Sequence, residues 1–258
     1  MTRHSLIKWA TALAIIVAGV AFGSTTGAHR DCPDILAPAY FAPGASWKQA
    51  SPGRSNPPAI LIMNPASGPG FQRDPVYAAT VAKARRDGAT VIGYAHTSYG
   101  ARPVQEVKNE IANYKAWYHV DGIFLDEASP LPVQLPYYRQ LNQYIRSAPG
   151  HFTVLNPGAV PAPGYFGVGD VIVTFEGPYS SYRTVRFPLW LEEIAPSRKA
   201  NLVYGTPSSS VSSVLALAHR HRVGRIYVTD GALPNPWSAL PGYYDAERDK
   251  IEELCPNG

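Results

Sequence analysis

Short runs of β-branched and aromatic residues recur along the chain, each followed by a longer stretch of mixed polarity. The runs fall at 35–41, 59–64, 90–97, 122–127, 152–156, 171–176, 201–205 and 225–230. Each is short enough, and apolar enough, to be a buried strand. Between most of them lies a helical period. Val107, Ile111, Tyr114 and Tyr118 form one stripe in Val104–Tyr118. Tyr138, Leu141 and Ile145 do so in 132–147, and Val211, Val214, Leu215 and Ala218 in 211–221. Tyr244, Ile251 and Leu254 close the chain in 242–254. The connectors 157–170 and 177–197 are rich in Pro, Gly and Tyr and only partly helical.

Strand alternating with helix predicts a parallel sheet. Eight units in about 230 residues match a (β/α)₈ barrel of the TIM type, typically ~250 residues long. The alternative is an open doubly wound sheet, which lacks support because no strand leads into a G-x-G-x-x-G turn. The nearest stretch, Gly68-Pro-Gly70, has no third glycine.

Composition adds a destination. Residues 1–28 read as a secretory signal. Arg3 and Lys8 form a basic start, 9–23 carries no charge, and Thr26 and Ala28 are small residues before a cleavage point. The apolar run, about fifteen residues, is short of the ~20 that span a bilayer. An uncleaved anchor is the alternative. The mature domain is then 29–258, secreted, with no membrane contact after cleavage and with wall association left open. Losing two basic residues takes the formal charge from +4 to +2. No Lys/Arg-rich run tracks a phosphate backbone, so nucleic acid is not an expected partner, and a monomer is expected. Export places Cys32 and Cys255 where thiols pair, and a bridge between them would join the two ends of a closed barrel. Two free buried thiols are the alternative.

In either α/β architecture the site lies at the carboxyl ends of the strands. Of 19 Asp and Glu, only Asp126, Glu127, Glu176 and Asp230 fall there. An acid after so apolar a run needs a partner, and desolvation raises its pKa. A protonated carboxyl beside an ionised one is the equipment for glycosidic cleavage. Asp126 and Glu127 are adjacent in an extended segment, so they should face opposite ways, one catalytic and one supporting. A salt bridge or a helix cap is the competing explanation for each acid, most strongly for Asp230.

Other chemistries are not signalled. There is no G-x-S-x-G elbow and no H-E-x-x-H, and neither cysteine ends a strand. No metal site or cofactor is implied. His96 ends the third run and suits a hydrogen bond to a sugar hydroxyl or to a catalytic carboxylate, or a purely structural one. Asn64 and Asn156 follow strands, and Tyr40, Tyr94, Tyr99, Tyr179, Tyr182, Tyr204 and Trp237 lie at or just past strand ends. Aromatic faces stack on sugar rings and amides bond hydroxyls, which suits a long polar ligand in a groove.

Several of these segments resemble the spherulin-4 family of glycoside hydrolases. They are Pro38-Ala-Tyr40 with Trp47, Ile60-Leu-Ile-Met-Asn-Pro-Ala-Ser-Gly-Pro-Gly70, Val91-Ile-Gly-Tyr-Ala-His-Thr-Ser-Tyr-Gly100, Tyr114 with Trp117, and Val120-Asp-Gly-Ile-Phe-Leu-Asp-Glu127. The resemblance implies a (β/α)₈ barrel and endo-hydrolysis of an α-1,4-linked galactosamine-type polymer such as galactosaminogalactan. It places Asp126, Glu127 and Glu176 on the family's acidic site. The expected roles are Asp126 as nucleophile or charge stabiliser, Glu176 as general acid/base and Glu127 as a tuning group, with retention of configuration. The low net charge predicts no acidic groove and so favours an N-acetylated stretch of polymer. A non-catalytic glycan-binding wall protein, or a glycosidase for another polysaccharide, are the rival readings.

Overall fold

The computed structural model describes residues 33–51 and 59–254. The expected signal segment 1–28 and the expected Cys32–Cys255 bridge lie outside the described residues. The strands are β1 Asp34–Ala39, β2 Ala59–Met63, β3 Thr90–His96, β4 Gly122–Asp126, β5 Phe152–Leu155, β6 Val171–Pro178, β7 Lys199–Tyr204 and β8 Arg225–Val228. The helices are α1 Ala45–Ala50, α2 Pro75–Arg86, α3 Val104–Tyr118, α4 Leu135–Arg146, α5 Tyr179–Tyr182, α6 Val211–Arg220 and α7 Tyr244–Glu253. All eight strands are parallel and pair in chain order, and β8 pairs with β1 to close the barrel. The (β/α)₈ expectation holds, and the open-sheet alternative fails because Asp34 and Ile35 register with Arg225 and Ile226. No described helix is long and apolar enough to cross a membrane.

The stripes read from the sequence are the buried faces. Val107, Ile111, Tyr114 and Tyr118 of α3 are buried, as are Tyr138, Leu141 and Ile145 of α4. Helix α2 has a weaker pattern, because the residues it buries are Ala78, Val81 and Ala84. Asp74 caps it, its Oδ1 accepting the N–H groups of Val76 and Tyr77. Gly93 explains how α3 sits so close to β3. A Cβ there would lie 2.5 Å from the Tyr114 ring.

Acids at the two ends of the barrel do different work. Before β4, Asp121 accepts the Val91 N–H and pairs with Arg85. Before β6, Asp170 accepts the Thr153 N–H and pairs with Arg146. Both satisfy a backbone donor at the start of a neighbouring strand, where the fold is being held rather than used. Glu247 of α7 is fully buried, with Oε1 accepting the Val228 N–H.

Candidate active site

A cleft of about 480 Å³ opens at the carboxyl ends of the strands. Phe124 and Leu202 form its floor, and Tyr40, Tyr99, Tyr204 and Trp237 stand around it. Asp126, Glu127 and Glu176 all reach it, while among the described residues no Lys or Arg lines it. The groove is therefore acidic. The expectation drawn from net charge is corrected, because a sum over charges scattered along the whole chain says nothing about one mouth of the barrel.

Two of the three acids share one hydrogen-bond donor. Asn156, just past β5, donates from Nδ2 to Asp126 Oδ1 at 2.7 Å and to Glu176 Oε2 at 2.5 Å. The two carboxyl oxygens can stand no farther apart than the sum of those bonds. Burial is the main force raising both pKa values. For Asp126, the Glu127 N–H, the Tyr94 hydroxyl and the Asn156 amide oppose it by stabilising the anion. Glu176 has only the Asn156 amide and the Trp237 indole, and it also feels the Asp126 charge, so it is pushed up to about 7. Asp126 therefore ionises before Glu176, which sets an ionised carboxyl beside one that is still protonated below about 7.

Glu127 does not turn away. Strand β4 ends at Asp126, and Glu127 takes a left-handed φ of 48°. That turn breaks the alternation of an extended chain and brings both neighbours to the cleft. The expected opposite facing of the pair is thus corrected. Adjoining residues hold the turn. Thr97 N–H and Oγ1 both donate to the Asp126 carbonyl, Thr97 Oγ1 also reaches the Glu127 carbonyl, and Tyr99 N–H bonds the Glu127 carbonyl at 2.7 Å. Ser98 and Tyr99 are themselves left-handed. His96 Nδ1 stands 3.6 Å from Glu127 Oε2.

The comparisons with known proteins bear on the whole barrel. The model of spherulation-specific family 4 matches residues 34–251. The chain belongs to this family. Spherulin-4 of Physarum polycephalum is 33% identical over 235 residues, covering 85% of this chain and 70% of that protein. Among solved structures, Aspergillus clavatus Sph3 in complex with GalNAc superposes with a TM-score of 0.76 at 23% identity, covering 85% of this chain and 97% of that one. A domain of a Pyrococcus furiosus thermostable chitinase, solved with chito-oligosaccharides, gives a TM-score of 0.54 at 14% identity over 88% and 99% of the two chains. These two likenesses establish a shared fold.

On this spherulation-specific barrel the residues expected to contact a ligand sort into groups. Tyr40, Tyr99, Asn156, Tyr204 and Trp237 line the cleft with the three acids. Tyr94 is buried and stacked on Phe124 at 6.3 Å, and its hydroxyl favours the Asp126 anion. His96 reaches it only through Glu127. Asn64, Tyr179 and Asp230 are not brought to the cleft. Asn64 Oδ1 accepts the Gly68 N–H and stabilises a turn. Tyr179 lies under Arg183, whose guanidinium is 5.4 Å from the ring. Asp230 is exposed beyond the end of β8. Tyr182 is fully buried, accepting from Asn201 at 2.9 Å. Sequence reasoning missed the wall formed by Leu233, Pro234, Asn235 and Pro236 after β8. The only signal was the cluster of turn formers between 231 and 236.

Proposed function

We propose that this chain is an exported, endo-acting glycoside hydrolase that cleaves an α-1,4-linked galactosamine- or N-acetylgalactosamine-containing polysaccharide with retention of configuration. The observation that carries the reading is the carboxyl pair on one amide. Retaining enzymes hold their two carboxyls ~5–5.5 Å apart and inverting ones ~6.5–9.5 Å. Two oxygens bound to the same nitrogen at 2.7 Å and 2.5 Å keep the carboxyls near one another, which supports the retaining reading.

In the first step Glu176 gives its proton to the glycosidic oxygen as the bond to the anomeric carbon breaks. An Asp126 oxygen bonds that carbon and forms a glycosyl ester. In the second step Glu176 takes a proton from water. The water oxygen bonds the anomeric carbon, and the ester bond breaks with its electron pair returning to Asp126. A carboxyl near 7 suits both halves, since it must give and take a proton near neutrality. Glu127 bends into the same cleft and tunes or orients the pair. The aromatic walls suit sugar rings. The substrate class rests on family membership and on the GalNAc found with Aspergillus clavatus Sph3. The acidic lining accepts either acetylated units or free ammonium groups.

The test is oligosaccharide release from partly acetylated α-1,4-galactosaminogalactan, read by mass spectrometry, for wild type beside Glu176→Gln and Asp126→Asn. Products from wild type alone support the reading. A folded wild type that releases nothing overturns this substrate, and retained glycan binding would then favour a binding protein.

A further inference from the structure

We propose that Asn156 is a positioning residue whose single amide nitrogen spaces and orients both carboxyls, rather than a contact for a sugar hydroxyl. The inference rests on the glycosidase reading for its role in turnover, but the arrangement itself is tested without substrate below.

Hydrogen-bonding capacity comes first. A side-chain amide has two N–H donors and one carbonyl acceptor. In Asn156 both donors are spent, one on Asp126 Oδ1 and one on Glu176 Oε2. The carbonyl Oδ1 takes the Gly158 N–H at 3.0 Å. Turning the amide over would set an oxygen against two carboxyl oxygens and an N–H against another N–H. Its neighbours therefore determine the orientation. The residue is 5% exposed, although it borders the cleft.

The backbone repeats the arrangement. Asn156 N–H donates to the Leu125 carbonyl and its own carbonyl accepts from Ala128 N–H, so these bonds bracket Asp126 on both sides. Two residues on, the Gly158 carbonyl accepts the Glu176 N–H at 2.9 Å. Gly158 makes that return with a φ of 68°, a left-handed value that favours glycine. The short turn 156–158 is thus bonded through main chain and side chain to both acids.

Such a clamp matters because the negative charge moves between the acids. Before the first step it is on Asp126. Once Asp126 is esterified and Glu176 has lost its proton, the charge is on Glu176. The second step returns it. An amide with one N–H toward each acid serves the anion in both states without moving, which is preorganised stabilisation rather than rearrangement. It also keeps the oxygens at the spacing the ester requires.

Asn156→Ala removes both donors. Asn156→Ser keeps the turn former and one hydroxyl donor, so it remains informative if the alanine variant does not fold. Without the donors both anions lose stabilisation, so both pKa values rise. Expected in the alanine variant is a pH–rate bell whose two limbs each move up by ~1 pH unit, with kcat down roughly 10–100-fold and KM changed by less than about twofold. Asn156→Ser is expected to shift in the same direction by less. Independent of any substrate, ¹³C NMR of labelled Glu carboxyls, with Glu176 assigned by its loss in Glu176→Gln, should show Glu176 titrating higher in each variant than in wild type. Unmoved limbs with a raised KM would overturn the proposal in favour of sugar binding. So would an unmoved Glu176 titration. If wild type cleaves no glycan, the glycosidase reading fails while the NMR comparison still decides whether Asn156 governs the pair.

Discussion

The indole of Trp237 shares the cleft with Glu176 and pulls the pKa of that carboxyl down, so the loop after β8 acts on the acid that β6 carries. Trp237 is 6% exposed and also meets Tyr204 edge-on at 6.0 Å. The cleft wall and the protonation of its acid are therefore linked through one side chain.

Trp237→Phe keeps most of the wall and deletes the donor. The indole favours the anion, so its loss raises Glu176 further above about 7. Glycan hydrolysis by wild type should decline as pH rises through about 7, where Glu176 loses the proton it must give. In the variant only this alkaline limb should move up, by ~0.5–1 pH unit, while the acidic limb set by Asp126 stays. A pH–kcat/KM profile checks it, and a shift in both limbs would refute it.

Glu247 makes folding sensitive to base. Burial pushes its carboxyl well above the usual 4.5, against one bond from the Val228 N–H. The folded chain then holds a proton that the unfolded chain releases above pH 4.5. Stability falls as pH rises from there toward the folded value. Glu247→Gln mimics the protonated group and should show a Tm that falls less between pH 5 and pH 8 than wild type. About 1 kcal/mol moves Tm by roughly 2–4 °C in a domain of this size. Parallel melting curves at the two pH values would contradict this.

Thr97→Val tests the turn that brings Glu127 inward. Thr97 is fully buried, and its Oγ1 bonds the carbonyls of Asp126 and Glu127 and the Tyr138 hydroxyl. Valine keeps the shape and strands those groups. A loss of about 1–3 kcal/mol in urea unfolding is expected, together with a larger drop in turnover than in stability-matched variants elsewhere.

Gly93→Ala probes the packing of β3 on α3. The added methyl would meet the Tyr114 ring at 2.5 Å. Ring and helix must shift, at a cost of about 1–3 kcal/mol. Thermal melting reads it directly, and a Tm equal to wild type would show that Tyr114 gives way freely.

Much of this molecule was legible in the chain. Short apolar runs and 3.6-residue stripes place the strands and most helices, because a strand buried on both faces and the helix face that meets the core must be apolar. Helix α2 escaped because a face built of Ala78, Val81 and Ala84 barely stands out from its surroundings. Position at a strand end put Asp126, Glu127 and Glu176 at the mouth, yet it put Asn64 and Asp230 there equally, and neither reaches the cleft.

The sequence by itself determined the alternating order of elements, the parallel barrel and the acids at the mouth, since these follow from local periodicity and position along a strand. Only the tertiary structure decided where those side chains point. Glu127 faces in because Thr97 and Tyr99, from the loop after β3, hold its carbonyl in a left-handed turn. Asn156 spends its donors on two acids because parallel pairing in chain order sets β4, β5 and β6 side by side. Position along a strand sets a residue's height in the barrel, but at the mouth its direction depends on bonds from neighbouring strands and loops.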